Sequence, residues 1–252
     1  MLCLGDQNRV GIGVGDEIPY PRQLEQMLKV AQAAKRVETI NTGVQRYFTY
    51  QEIDVLRNLV EELKPDVVTL GIYYNDLGVR PEGEYSREYE NAREQSASAF
   101  RKRAEWLYLA LKNSALIELA KQSYLSGHAG ERYLRVMTGE PSKKEEAQWV
   151  AMKQELQAFH DLADEYDFQP LVVTIPSRIQ VQQAFPESRF PGRVLEICGQ
   201  LQIPVLNVHE QFVTSLKAGE DPYLAWDNHM SEVGHRIVAE ALAAKIAESQ
   251  NE

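Results

Sequence analysis

Apolar positions along this chain switch between short β-like runs and helical stripes. Leu2–Leu4 is a short apolar run that ends at Gly5-Asp6. A glycine-rich loop follows, Gly11-Ile12-Gly13-Val14-Gly15, and Pro21 then opens a helix with Leu24, Met27, Leu28, Ala31 and Ala34 on one face. A second strand is expected over 37–40, stopped by Asn41-Thr42-Gly43. Ile53, Leu56, Leu59 and Val60 mark the next helix, and Pro65 punctuates the entry to a third strand, Val67–Ile72. Further on, strands are expected over 171–175, ending at Pro176, and over 203–208, after another helix. A closing helix over 231–247 bears Val233, Ile237, Ala241 and Ile246. Between 76 and 167 the pattern is helical and charged, with Trp149, Met152, Leu156 and Phe159 forming one stripe. Five strands separated by helices predict a doubly wound parallel sheet, with helices on both faces. The strandless stretch reads as a helical insertion at about 77–166 within a single domain spanning 1–252.

Composition narrows the function classes. The 252 residues fit one large α/β core. A hydrophobic fraction of 44% and a charged fraction of 25% exclude wholesale disorder and fibrous architectures. A formal charge of -10 argues against binding nucleic acid through a basic face. The charge is unevenly spread: residues 1–50 carry six Lys plus Arg against five Asp plus Glu, so the excess acid lies beyond them. Cys3 and Cys198 sit far apart in apolar contexts and read as buried thiols, not as a metal pair. The longest apolar candidate, 104–120, is interrupted by Lys112 and Asn113, so no membrane span is expected. No signal peptide is recognisable. The opening Met1-Leu2-Cys3-Leu4 already looks like the inside of a strand, so either the chain starts there or an upstream segment has been cut away, and the compartment stays open.

In an open parallel sheet the ligand site lies beyond the carboxyl ends of the strands. Here that rule selects the loops after Leu4, Ile40 and Ile72, together with Trp226-Asp227-Asn228-His229-Met230-Ser231 before the last helix. Asp227 beside His229 offers a carboxylate that orients an imidazole and stabilises its protonated form. Asn75, in Tyr73-Tyr74-Asn75-Asp76, offers an amide donor suited to an oxyanion.

These residues carry a family resemblance. Leu4-Gly5-Asp6-Gln7-Asn8-Arg9-Val10-Gly11, with Asp16-Glu17 and Tyr20-Pro21, resembles the first block of the SGNH hydrolases, the GDSL-type esterases and lipases. Asn41-Thr42-Gly43-Val44-Gln45-Arg46-Tyr47 is similar to the second block, Asn75-Asp76 to the third, and Asp227-Asn228-His229-Met230-Ser231 with Gly234-His235 to the last. The blocks occur in order from Gly5 to His235. The resemblance implies a flavodoxin-like three-layer α/β/α sandwich of the SGNH type, with Asn75 as oxyanion donor, Asp227 as triad carboxylate and His229 as base. It also implies a serine directly after Gly-Asp, where this chain has Gln7, and an oxyanion glycine where it has Arg46; Gly43 matches the motif's other small residue. In the third block, the glycine often found two residues before the asparagine is Tyr73.

A carboxamide at position 7 cannot be deprotonated to a useful nucleophile near neutral pH, which closes the acyl-enzyme route there. Three readings follow. One is a catalytically silent or strongly impaired relative whose pocket binds a small anionic or acylated ligand. Another is an active carboxylic ester hydrolase or deacetylase in which His229 and Asp227 activate water and Asn75 holds the oxyanion. The third is an interaction module using the helical insertion. Arg9 and Arg46 belong to loops that converge on position 7 and could form an anion cluster with Gln7; the plainer alternative is that they point outward or pair with Asp6, Asp16 or Asp76. Ser231 reads as a helix cap and Ser177 as a turn residue, not as replacement nucleophiles. His128, His160 and His209 are scattered, so no metal site and no cofactor are expected. The partner class implied by the resemblance is a small ester or an acylated carbohydrate or lipid.

Overall fold

The computed structural model describes residues 1–5, 11, 13–31, 37–45, 47–74, 76–80, 143–183, 189–225 and 229–249. The chain divides into two compact units, Met1–Val79 with Ser142–Glu252, and Arg80–Pro141. Apart from Arg80 the second unit lies outside the described residues, so the architecture below is that of the first.

Five strands form one parallel sheet: β1 (Leu2–Leu4), β2 (Ile40–Asn41), β3 (Val67–Ile72), β4 (Gln169–Thr174) and β5 (Val205–Asn207), in the order β2-β1-β3-β4-β5. All six residues of β3 are buried, as a strand with helices on both faces requires. Register aligns Leu4 with Leu70 and Leu70 with Val172, and so places Cys3, Thr69 and Leu171 on the opposite face. Cys3, Leu171 and Val173 pack with α1 (Tyr20–Ala31), α6 (His209–Lys217) and α7 (Glu232–Ser249). The other layer is built from α2 (Thr49–Leu63), α3 (Lys143–Tyr166) and α5 (Arg189–Gln200), which pack on one another, with α3 and α5 also against β4; the short α4 (Arg178–Gln183) follows β4.

The helices begin and end where local chemistry dictates. In α1, Tyr20, Leu24 and Leu28 recur every fourth position and are buried, with Pro21 in the first turn, where its missing N–H costs nothing. At the start of α2, Gln51 Oε1 accepts the Phe48 N–H at 3.0 Å. Its last turn closes on Lys64 at φ 42°, whose N–H donates to the Val60 carbonyl at 2.9 Å before Pro65 forbids another turn. The expected stripe Trp149, Met152, Leu156 and Phe159 is buried throughout.

Three expectations need correction. Helix α3 lies against α2 and β4, so 143–166 is a flank of the sheet and not part of the insertion expected at 77–166. At the other end of that range Leu77 is buried and its carbonyl accepts Gln148 Nε2 at 2.9 Å, again within the sheet unit; residues 81–142 lie outside the described ones. Strand β2 is shorter and later than 37–40: its ladder with β1 starts at Ile40, whose N–H donates to the Met1 carbonyl at 3.0 Å, while the outward-facing Thr39 N–H donates to Glu25 Oε2 at 2.9 Å. Strand β5 begins at Val205, not 203: the Ile203 N–H is taken by the Cys198 carbonyl at 2.9 Å, and Pro204 has no N–H to pair. No helix among the described residues is long and apolar enough to cross a membrane.

Candidate functional site

The carboxyl ends of β1, β2 and β3 feed loops that are tied to one another. The Val44 N–H donates to the Gly5 carbonyl at 3.1 Å, and both the N–H and the hydroxyl of Thr42 donate to the Cys3 carbonyl at 3.0 Å. The loop after β2 therefore runs alongside the end of β1. After β3, the Tyr73 N–H donates to Asp76 Oδ2 at 2.6 Å and the Asp76 N–H returns to the Tyr73 carbonyl at 3.0 Å. The Asp76 carbonyl accepts the Thr49 N–H at 3.3 Å, so the chain on both sides of position 75 is fixed to the start of α2. Asp76 is buried, with its Oδ2 held by the Tyr73 N–H.

The stretch before α7 completes this edge. Tyr223 bridges Met230 in antiparallel fashion, the Leu224 N–H donates to the His229 carbonyl at 2.9 Å, and the Ser231 N–H donates to the Pro222 carbonyl at 3.0 Å. Ser231 is the N-cap of α7: its Oγ accepts the Gly234 N–H at 3.4 Å and donates to the Asp221 carbonyl at 2.7 Å. Gly13, at φ +83°, sits so close that a Cβ there would stand 2.6 Å from Leu224 Cδ1, which brings the loop after β1 against the 221–231 segment.

His229 is half-buried, with Nε2 buried, and its peptide is held by Leu224. Gly43 is half-buried, and its N–H is committed to Asn41 Oδ1 at 3.0 Å, an Asx turn that removes this donor from any ligand. The other expected site residues, Gln7, Asp227, Asn75, Arg46, Arg9 and Asp6, lie outside the described residues, as do the insertion residues. The chain segments that flank them in sequence, Gly5, Gln45, Tyr47, Tyr74, Asp76, Ala225 and His229, are described; contacts link the loops to which these belong. Among the described residues no group of His, Cys, Asp and Glu is arranged to hold a metal ion.

Serines offered as replacement nucleophiles are occupied. Ser177 is buried, with its N–H and Oγ at 2.7 and 3.0 Å from Gln180 Oε1 at the entry to α4. Two ties had no signal in the sequence pattern. His235 Nδ1 accepts the Tyr20 N–H at 3.2 Å and its ring stacks near Tyr20, joining α7 to the first turn of α1. Burial holds this imidazole neutral, with its pKa lowered to about 4. Arg178 reaches Asp221 Oδ2 at 2.9 Å and the Leu224 carbonyl at 2.7 Å, while the Tyr223 hydroxyl donates to the Pro176 carbonyl at 2.8 Å. The loop after β4 is thus fastened to the segment that carries His229.

No family model and no curated protein matches this sequence. Solved structures do match. The psychrotrophic esterase EstA from Pseudoalteromonas sp. is 13% identical, with a TM-score of 0.57 over 100% of this chain and 98% of its own. Axe2, an acetylxylan esterase from Geobacillus stearothermophilus, is 15% identical, with a TM-score of 0.54 over 97% of this chain and 92% of its own. A protein described as lipolytic and of the G-D-S-L family, from Desulfitobacterium hafniense, is 13% identical, with a TM-score of 0.53 over 96% of this chain and 97% of its own. This chain has the SGNH-hydrolase fold. The loops after β1, β2 and β3 and the stretch before α7, where the sequence resemblance places its blocks, are joined through the described contacts given above. At these identities the likeness establishes architecture, and the chemistry has to be argued from residues.

Proposed function

We propose that this chain is an ester-hydrolase relative that has lost its nucleophile, is catalytically silent or strongly impaired, and uses the pocket to bind a small anionic or acylated ligand. The observation that carries this is Gln7. It follows Gly5-Asp6 directly after β1, the position at which the resembled family has its serine. A neutral carboxamide offers no alkoxide, so the covalent acyl intermediate cannot form there. Arg9 and Arg46, on the loops after β1 and β2, supply guanidinium groups suited to a carboxylate, sulfate or phosphate, in a part of the chain that is near neutral in charge.

Asn75, Asp227 and His229 keep a competing reading in view, in which His229 takes a proton from water and Asn75 donates to the oxyanion. That route needs water at the ring, and burial of His229 Nε2 favours the silent reading over it. A fluorophosphonate probe separates the states. A competent serine oxygen attacks phosphorus, fluoride leaves, and the hydroxyl proton passes to the base. The native chain is expected to gain no adduct mass, whereas Gln7→Ser gains one adduct at the substituted position. A stoichiometric adduct on the native chain would overturn the reading. Titration with sulfate or phosphate tests the ligand class: binding is expected to weaken in Arg46→Ala, and equal binding by that variant would remove Arg46 from the site.

A further inference from the structure

Arg178 opens α4, immediately after the buried Pro176-Ser177 turn at the end of β4. Its side chain is 19% exposed and makes three contacts with one short stretch. Nη1 donates to Asp221 Oδ2 at 2.9 Å, Nη2 donates to the Leu224 carbonyl at 2.7 Å, and Cζ lies 5.2 Å from the centre of the Tyr223 ring. That stretch is bonded across to the segment after position 228. Leu224 N–H holds the His229 carbonyl at 2.9 Å, Pro222 accepts the Ser231 N–H at 3.0 Å, and the Asp221 carbonyl accepts Ser231 Oγ at 2.7 Å. The guanidinium is therefore one residue removed from the hydrogen bond that fixes the His229 peptide. An ion pair with a partly exposed Asp221 contributes little by itself. The bond to Leu224 is different, because it places a charged donor on a backbone carbonyl in a geometry that only a planar fork can serve together with Asp221 and the Tyr223 face.

We propose that Arg178 is a positioning residue for His229, locking residues 221–224 against residues 229–231 so that the imidazole keeps a single orientation at the carboxyl edge of the sheet. The role attached to that imidazole rests on the site reading above; the positioning itself does not. Neither Arg178 nor Leu224 belongs to the four blocks of the family resemblance, and Arg178 enters from the loop after β4, a strand to which no block was assigned.

The test is histidine ring NMR on the full chain, with the His229 signal assigned by its loss in His229→Gln. Arg178→Lys retains a cation near Asp221 but cannot reach the Leu224 carbonyl at the same time. In both Arg178→Lys and Arg178→Ala the His229 ring signals are expected to shift or broaden, while those of His160, on α3, stay in place. Guanidinium ion at non-denaturing concentration should return the Arg178→Ala spectrum towards native. In the Gln7→Ser background, Arg178→Lys is expected to lower kcat about tenfold with KM within about twofold, the signature of a displaced base rather than a lost ligand contact. Unshifted His229 signals in folded Arg178→Lys would overturn the proposal. If Gln7→Ser shows no turnover but the His229 signals still move, the positioning role stands and the site reading falls. Arg178→Lys covers the case in which the alanine variant does not fold.

Discussion

At the scale of the residue, His235 has the clearest consequence for pH. Its ring is neutral in the fold, with a pKa near 4 against an ordinary 6.5, because burial penalises the cation. The unfolded chain therefore takes up this proton first, so the contribution is complete above pH 6.5 and is lost as pH falls towards 4. At 1.36 kcal/mol per unit the loss attributable to His235 approaches about 3 kcal/mol. A second buried group, Glu25, acts in a lower window. Burial pushes Glu25 up, but hydrogen bonds from Lys29, from the Thr39 N–H and from the Thr39 hydroxyl, together with the Lys29 charge, outweigh it and hold the carboxyl at about 2. Its stabilisation is full above pH 4.5 and is lost below, as pH falls through 2. Urea unfolding between pH 7 and 5 thus isolates the histidine: His235→Gln, whose amide still accepts the Tyr20 N–H, is expected to lose less stability over that interval than native protein. Equal slopes would contradict the assignment. Gly234 is a second residue-scale case. A Cβ there would lie 2.3 Å from the Pro222 carbonyl, so Gly234→Ala must displace the 221–231 segment or the helix. A loss of about 2 kcal/mol is expected from such overpacking. Gly192→Ala, with nothing within 4 Å, should gain about 0.5–1 kcal/mol of helix propensity instead. Thermal melts that rank the two variants the other way would refute the packing argument.

At the scale of the element, periodicity located the parts whose faces are buried and missed those governed by single bonds. The stripes on α1, α2, α3 and α7 were legible because each repeats at helical spacing against a continuous core. The late start of the second strand was not, since it depends on where β1 offers a partner, the Met1 carbonyl to the Ile40 N–H. Helices α4 and α6 are too short, at six and nine residues, to stand out as periodic. Helix α7 owes its start to Ser231, and Ser231→Ala should cost about 1–2 kcal/mol in urea unfolding, from the lost cap and the lost bond to the Asp221 carbonyl. The same substitution made with Gln7→Ser should leave fluorophosphonate labelling at position 7 in place. Loss of labelling without loss of stability would argue that Ser231 takes part in chemistry and does not simply cap.

At the scale of the whole molecule, a parallel sheet follows from five short apolar runs and the helices between them, and the polar loops after β1, β2 and β3 then fall on one edge. That much of the site was readable because the topology itself gathers it. The ties that make the edge rigid were not readable: Tyr20 meets His235 across 215 positions, and Arg178 meets Leu224 across 46. Neither pairing leaves a mark on local pattern. Gln7 is the reverse case, plain in the sequence as a residue type, and the proposed loss of the nucleophile rests on it. The central proposal is therefore that an SGNH architecture persists here without its nucleophile. Its most direct test is turnover of p-nitrophenyl acetate by native protein, Gln7→Ser and the Gln7→Ser, His229→Ala pair. The account predicts no His229-dependent turnover in native protein, a gain of at least ~10²-fold in Gln7→Ser, and loss of that gain in the pair. Native turnover that disappears in His229→Ala would contradict it.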